Sequence, residues 1–220
     1  MNREEAPKYL GIKLRTIRLS RGWSLDKMAE VLGIKGFSRR SRVHEWENGL
    51  RTPHLNVILA YAKFAGITTD DLIDDARKLV LPDADVEMVW LTDMFYRIKT
   101  AADEGRQLVL ILPNPWGHYS MLAHMINKFR VDCRRLHIFA MDEYANEDGH
   151  IAPEEWPQGF VHALKTYMYR QIDPDLRMPE AQVIGPTDAN VATYSRMIED
   201  AGGADRVYTG PGWTGHIAVV

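Results

Sequence analysis

The 220-residue chain holds a single cysteine, Cys133, which rules out an intramolecular disulfide framework and a multi-cysteine zinc site. It has no run of about eighteen apolar residues, the length a membrane-spanning helix needs. Its first seven residues, Met1 to Pro7, lack the apolar core of a signal peptide. These absences predict a soluble, cytoplasmic protein with no membrane partner. No P-loop is present, which argues against a nucleoside triphosphate, and no cofactor is expected. His118 and His124 are six residues apart, a spacing that suits neither turn of a helical metal pair, so no metal is expected. Internal repeats and low-complexity tracts are also missing.

Charge is distributed unevenly. Residues 1–80 carry 15 Lys and Arg against 10 Asp and Glu, whereas residues 81–220 carry 12 against 20. Up to Gly66 the count is 13 against 6, a net charge of +7. A local cationic surface attracts phosphate and releases its counterions, although a solvated basic face gives the same count.

Periodicity and punctuation then divide the chain. Between Tyr9 and Ser20, Leu10, Ile12, Leu14, Ile17 and Leu19 are interleaved with Lys13, Arg15 and Arg18, which predicts a first helix ending at Arg21-Gly22. Ser24 precedes a second, with Leu25, Met28, Ala29 and Leu32 on one face and Gly33 as its stop. Ser38 or Ser41 can cap a third that runs to about Asn48, with Val43 and Trp46 inward and Arg39, Arg40, Arg42 and His44 outward. Pro53 introduces a fourth helix through Leu55, Ile58, Leu59 and Ala62, and Thr69 caps a short fifth. Periodicity is lost over Asp74–Asp83, so the expected domains are residues 1–80 and 85–220.

Ser24-Leu25, Met28-Ala29, Leu32-Gly33, Val43, Trp46-Glu47-Asn48-Gly49, Arg51 and Pro53 resemble the Cro/CI-like (Xre) helix-turn-helix family over residues 9–75. The resemblance implies an all-α, five-helix, lambda-repressor-like domain that binds double-stranded DNA, commonly as a homodimer on two half-sites. Matched back from Glu47-Asn48-Gly49, the base readers are Arg40 and Ser41, flanked by Arg39, Arg42 and His44, with Arg51 on phosphate. Ile34-Lys35-Gly36-Phe37 makes the turn before the third helix about four residues longer than the family's usual spacing.

The second part alternates. Val86 to Ala102 reads as a helix, Leu108–Leu112 as a buried strand, Ser120 to Phe129 as a helix and Leu136–Ala140 as a strand. A helix from about Trp156 to Arg170, an apolar Val183-Ile184, a helix from about Ala189 to Ala201 and a strand at Arg206–Tyr208 complete an α/β domain with a parallel sheet. Ligands of such sheets bind outside the carboxyl ends of the strands. Three loops lie there: one with Asn114, Trp116 and Gly117, one with Asp142 and Glu143, and one with Gly210, Gly212, Thr214 and His216. They form a candidate pocket for a small polar ligand, while helix or turn capping by Asp142 and Glu143 is the bland alternative.

Phe139–Tyr144 and Gly210–Ala218 resemble the glucosamine-6-phosphate deaminase/isomerase family, over residues 85–220. The resemblance implies a sugar-phosphate isomerase-like fold, with Asp142 moving a proton at the sugar's second carbon and His216 assisting ring opening. Thr214 stands where the family has an acid, and the chain stops at Val220 where the family continues. That shortening predicts uncovered apolar surface or an unpaired edge around Leu108–Leu112. Three functions remain open at this point: a DNA-binding regulator with a sugar-phosphate-sensing domain, an amino-sugar-phosphate deaminase fused to a DNA-binding domain, and a fusion in which only the helix-turn-helix works.

Overall fold

The computed structural model describes residues 7–114 and 116–210. The chain forms two compact units, Met1–Asp93 and Met94–Val220, with the dividing point inside a 21-residue helix.

The first unit contains five helices in the expected order: α1 (Leu10–Ser20), α2 (Leu25–Val31), α3 (Arg39–Glu47), α4 (Leu55–Ala65) and α5 (Thr69–Ile73). Ser24 caps α2 by accepting from the Lys27 amide at 3.1 Å. Gly33 ends it at φ +68°, where its amide reaches Glu30 O and the Ile34 amide reaches Ala29 O. That pair of bonds is a Schellman closure, which needs a left-handed residue that glycine supplies without steric cost. Two caps differ from expectation. Ser38 occupies the N-cap of α3 but its side chain makes no capping bond. At α5 the cap is Thr68, not Thr69, because Thr68 and Asp71 form a reciprocal capping box. Bonds from Thr68 and Arg77 hold the Asp71 carboxyl down at about 2.

Leu10, Leu14, Ile17, Met28, Ala29, Val43, Trp46, Ile58, Tyr61, Ala62 and Leu72 form one core. Ile12, expected to join them, is exposed. Arg18, expected among the solvated bases, is buried and donates twice to Glu47, at 2.7 and 2.8 Å. It also donates to Trp23 O at 2.6 Å, and the Tyr61 hydroxyl reaches the same Glu47 carboxylate at 3.4 Å. One ion pair thus joins α1, α3 and α4. Lys13 is buried too, donating to the carbonyls of Asp71 and Asp74 at 2.8 and 2.9 Å, where the exposed end of α5 needs donors. Gly11 lets α1 approach the end of α3: a Cβ there would lie 2.9 Å from both Glu47 O and Trp46 O.

α6 (Asp83–Asp103) begins three residues before the expected start. In the second unit, β1 (Leu108–Leu112), α7 (Tyr119–Lys128), β2 (Leu136–Ala140), α8 (Phe160–Tyr167), β3 (Val183–Ile184), α9 (Tyr194–Asp200) and β4 (Arg206–Val207) follow. The strands form a parallel sheet in the order β3-β2-β1-β4, with Leu110 opposite both Ile138 and Arg206. α8 starts four residues later than predicted, since Pro157 disfavours the helical region for Trp156 and Gly159 takes the extended N-cap. A 3₁₀ turn at Tyr169–Gln171 replaces its last turn, and another at Val191–Thr193 precedes α9. β1 itself pairs on both sides and four of its five residues are buried, while its neighbour β4 is left at the edge of the sheet. The exposed edge among the described residues is β4, whose Arg206 and Val207 are both exposed.

Breaking a buried ion pair strands a charge, so Glu47→Ala is expected to destabilise the first unit by about 3–5 kcal/mol, and pairing it with Arg18→Met should recover part of that loss. Urea unfolding, with hydrogen exchange of the α1 and α3 amides, reads both. Gly11→Ala should cost about 1–3 kcal/mol in the same assay, because the obstructing atoms are backbone.

Candidate functional site

Two surfaces carry the residues singled out by sequence. On α3, burial of Val43, Trp46 and Glu47 fixes which side faces the core. Arg39, Arg40, Ser41 and His44 are consequently exposed. Arg40 and Ser41 lie in the first turn, the part of a recognition helix that reaches base edges. Arg39 lies 3.7 Å from Asp26, and Arg51 3.2 Å from Glu45. Exposed pairs of this kind are worth about 0–1 kcal/mol and yield readily to phosphate. Arg42 differs from its neighbours. It is half-buried and donates to Lys35 O at 2.8 Å, so it shapes the long turn before α3.

The second surface is the carboxyl edge of the sheet. With β2 and β3 on one side of β1 and β4 on the other, the strand order reverses between β1 and β4, which is where an open α/β sheet forms its crevice. Asn114 follows β1 by two residues and Thr209 follows β4 by two. Asn114 Oδ1 and Thr209 Oγ1 are both buried without a hydrogen-bond partner. Such atoms cost about 1–3 kcal/mol each unless a ligand or water donates to them.

Asp142 lies past β2 on the same edge. Burial, with the Asp142 charge adding to it, pushes the Tyr119 hydroxyl well above its ordinary range, and the Tyr194 hydroxyl is raised in the same way. Both tyrosines therefore stay protonated and act as donors. Tyr119 donates to Pro113 O, while Tyr194 lies 2.8 Å from Ala140 O and 3.0 Å from Ile184 O. They clamp the strand ends around Asp142.

Glu143 is committed elsewhere. Its carboxylate accepts from the amides of Phe160 at 2.9 Å and Val161 at 2.8 Å, at the start of α8, and from its own neighbour Tyr144 at 2.9 Å. An acid in this position satisfies orphan helix donors and complements the helix dipole. Trp116 is buried against Tyr119, with ring centroids 5.0 Å apart, so it packs as core. Gly117 and Gly210 are exposed. Gly212, Thr214 and His216 lie outside the described residues. The strand-end loops singled out by sequence contain Tyr119 and Thr209 without a role for either, whereas Tyr194, ten residues beyond β3, lies outside them.

Removing the cap with Glu143→Ala should lower the thermal stability of the second unit by about 1–2 kcal/mol and speed exchange at the Phe160 and Val161 amides. Glu143→Gln, which keeps one acceptor, should lose less.

Residues 14–72 match the family model for the helix-turn-helix, and the first unit is a helix-turn-helix domain of the Xre-like kind, followed by a parallel-sheet α/β region. No curated protein matches the chain. Among solved structures, the chain is similar to a monomeric glucosamine-6-phosphate deaminase, at 19% identity and a TM-score of 0.47, over 58% of this chain and 53% of that one. The chain thus spans about half the length of that deaminase.

Proposed function

We propose that this protein is a sequence-specific DNA-binding transcriptional regulator whose second unit takes up a small sugar phosphate at the carboxyl edge of its sheet. The observation that carries the DNA reading is the first turn of α3, where Arg40 and Ser41 stand exposed on a helix whose opposite side is locked by the Arg18–Glu47 pair. Arginine can donate two bonds to guanine O6 and N7, and serine can bond either base type. The +7 charge up to Gly66 supports phosphate attraction around that turn. Two copies on adjacent half-sites would follow the usual geometry of such domains.

Support for a ligand comes from the positions of Asn114, Asp142 and Thr209, each two residues beyond the end of β1, β2 or β4 at the carboxyl edge of the sheet, and from the motif resemblance at Phe139–Tyr144. Two acceptors and a carboxylate suit the hydroxyl and amino groups of an amino sugar. A ligand that binds one conformation better than another shifts its population, which is all that control of DNA binding requires. Asp142 also fits the second reading, a deaminase, since a carboxylate near a carbonyl can serve as general base.

Arg40→Ala is expected to cost about 1–3 kcal/mol at one base pair and to relax specificity there, whereas Arg51→Ala should weaken all sequences and lower the salt slope by about one. Binding to duplexes with single base changes, at several salt concentrations, separates them; equal losses everywhere would sink the assignment. Glucosamine 6-phosphate at millimolar concentration is expected to change DNA affinity, and Asp142→Asn to abolish that response. Ammonia release from the same compound, lost in Asp142→Asn, would favour the deaminase reading instead.

A further inference from the structure

We propose that Phe37 is a base-contacting residue that reads a thymine 5-methyl group in the major groove, extending the reading face of α3 by one turn. The inference rests on the DNA-binding reading above. Phe37 is fully exposed, whereas Trp46 and Tyr61 of the same unit are buried and Trp23 and Phe64 pack against their core. An aromatic ring wholly in water stands out against that background.

The turn that carries it is tied at several points. Ile34 packs on the core and its amide reaches Ala29 O at 2.9 Å. The Arg42 guanidinium holds Lys35 O at 2.8 Å, and the Arg39 amide reaches Gly36 O at 3.3 Å. Gly36 sits at φ +98°, a conformation that strains any other residue. The extra residues of this turn thus form a fixed platform that presents Phe37 immediately before the N-cap of α3. Arg40, Ser41 and His44 lie on one exposed face of α3, and the exposed Phe37 lies in the turn three residues before Arg40.

The surroundings select the partner. Between Gly33 and Glu45 there is no acidic residue, while Lys35, Arg39, Arg40 and Arg42 are basic. A lone ring inside a cationic stretch suits a polyanion that offers an apolar group, more than it suits an apolar protein surface. The thymine methyl is the apolar group exposed in the major groove, and phenylalanine is one of the side chains that contacts it.

The test uses the full chain and a duplex that the protein itself enriches from a random-sequence pool. Each thymine is replaced in turn by deoxyuridine, which removes only the methyl. The wild type is expected to lose about fourfold at one or two positions per half-site, the worth of one buried methyl group. Phe37→Ala should bind the thymine duplex correspondingly less well and be indifferent to the replacement, and Phe37→Leu should keep part of the effect. Wild-type affinity in Phe37→Ala overturns the proposal, as does a loss that is the same on thymine and deoxyuridine duplexes, the result expected of a sugar-phosphate or protein contact. Failure to enrich any sequence overturns the DNA-binding reading and this inference with it; enrichment with Phe37 indifferent overturns this inference alone.

Discussion

The direction in which α3 presents its side chains depends on the buried pair between Arg18 and Glu47. A nine-residue helix with four basic side chains has little reason to form by itself, so its position and rotation must come from what it packs against. Val43 and Trp46 supply apolar anchorage, but apolar contact tolerates rotation and sliding. Two charge-assisted bonds of 2.7 and 2.8 Å from one guanidinium do not. Such a pair contributes little net stability, because desolvation of both charges offsets most of the attraction. Its effect here is orientation. With Glu47 turned inward and Gly11 allowing α1 to press against the backbone of Trp46 and Glu47, Arg40, Ser41 and His44 are left outward.

A comparable division governs the carboxyl edge of the sheet. Asp142 and Glu143 are adjacent in sequence, and the chain leaving β2 sends them to different tasks. Glu143 closes the amino end of α8, which no side chain of the N-cap Gly159 can do. Asp142 stays among the strand ends with Tyr119 and Tyr194, whose hydroxyls are spent on backbone carbonyls. The strand order leaves Asn114 and Thr209 at the point where β1 and β4 part. The edge therefore holds the Asn114 amide oxygen and the Thr209 hydroxyl, both buried without a hydrogen-bond partner, within a well-bonded frame.

Much of this was legible in the sequence, and for stated reasons. Gly22 and Gly33 marked the ends of α1 and α2 in the sequence and both take a positive φ, and the five helices followed from those stops together with the capping residues and the apolar spacing. The strands were legible because a parallel sheet buries continuous apolar runs. What escaped depends on tertiary context. A charged residue such as Arg18 or Glu47 reads as surface until its partner, 29 residues away, is placed beside it. The end of α7 has no glycine: Arg130 takes φ +51° itself, and its pairing with Asp173 at 2.8 Å helps hold that strained position. Capping is one of the two tasks the sequence leaves open for Asp142 and Glu143, but periodicity does not say which of the two acids caps.

The charge asymmetry also bears on how affinity and specificity divide. Residues 81–220 carry an excess of eight acidic groups, so a polyanion gains nothing from lying against them and is repelled at short range. The net positive charge is confined to the region before Gly66, and in protein–DNA complexes generally phosphate contacts fix register and orientation. Repulsion elsewhere raises the free energy of wrongly docked encounters, which is specificity obtained without any added contact. Because Arg42 is tied to Lys35 O, the basic side chains left exposed on α3 are few, and the tied turn ahead of α3 fixes where the helix begins.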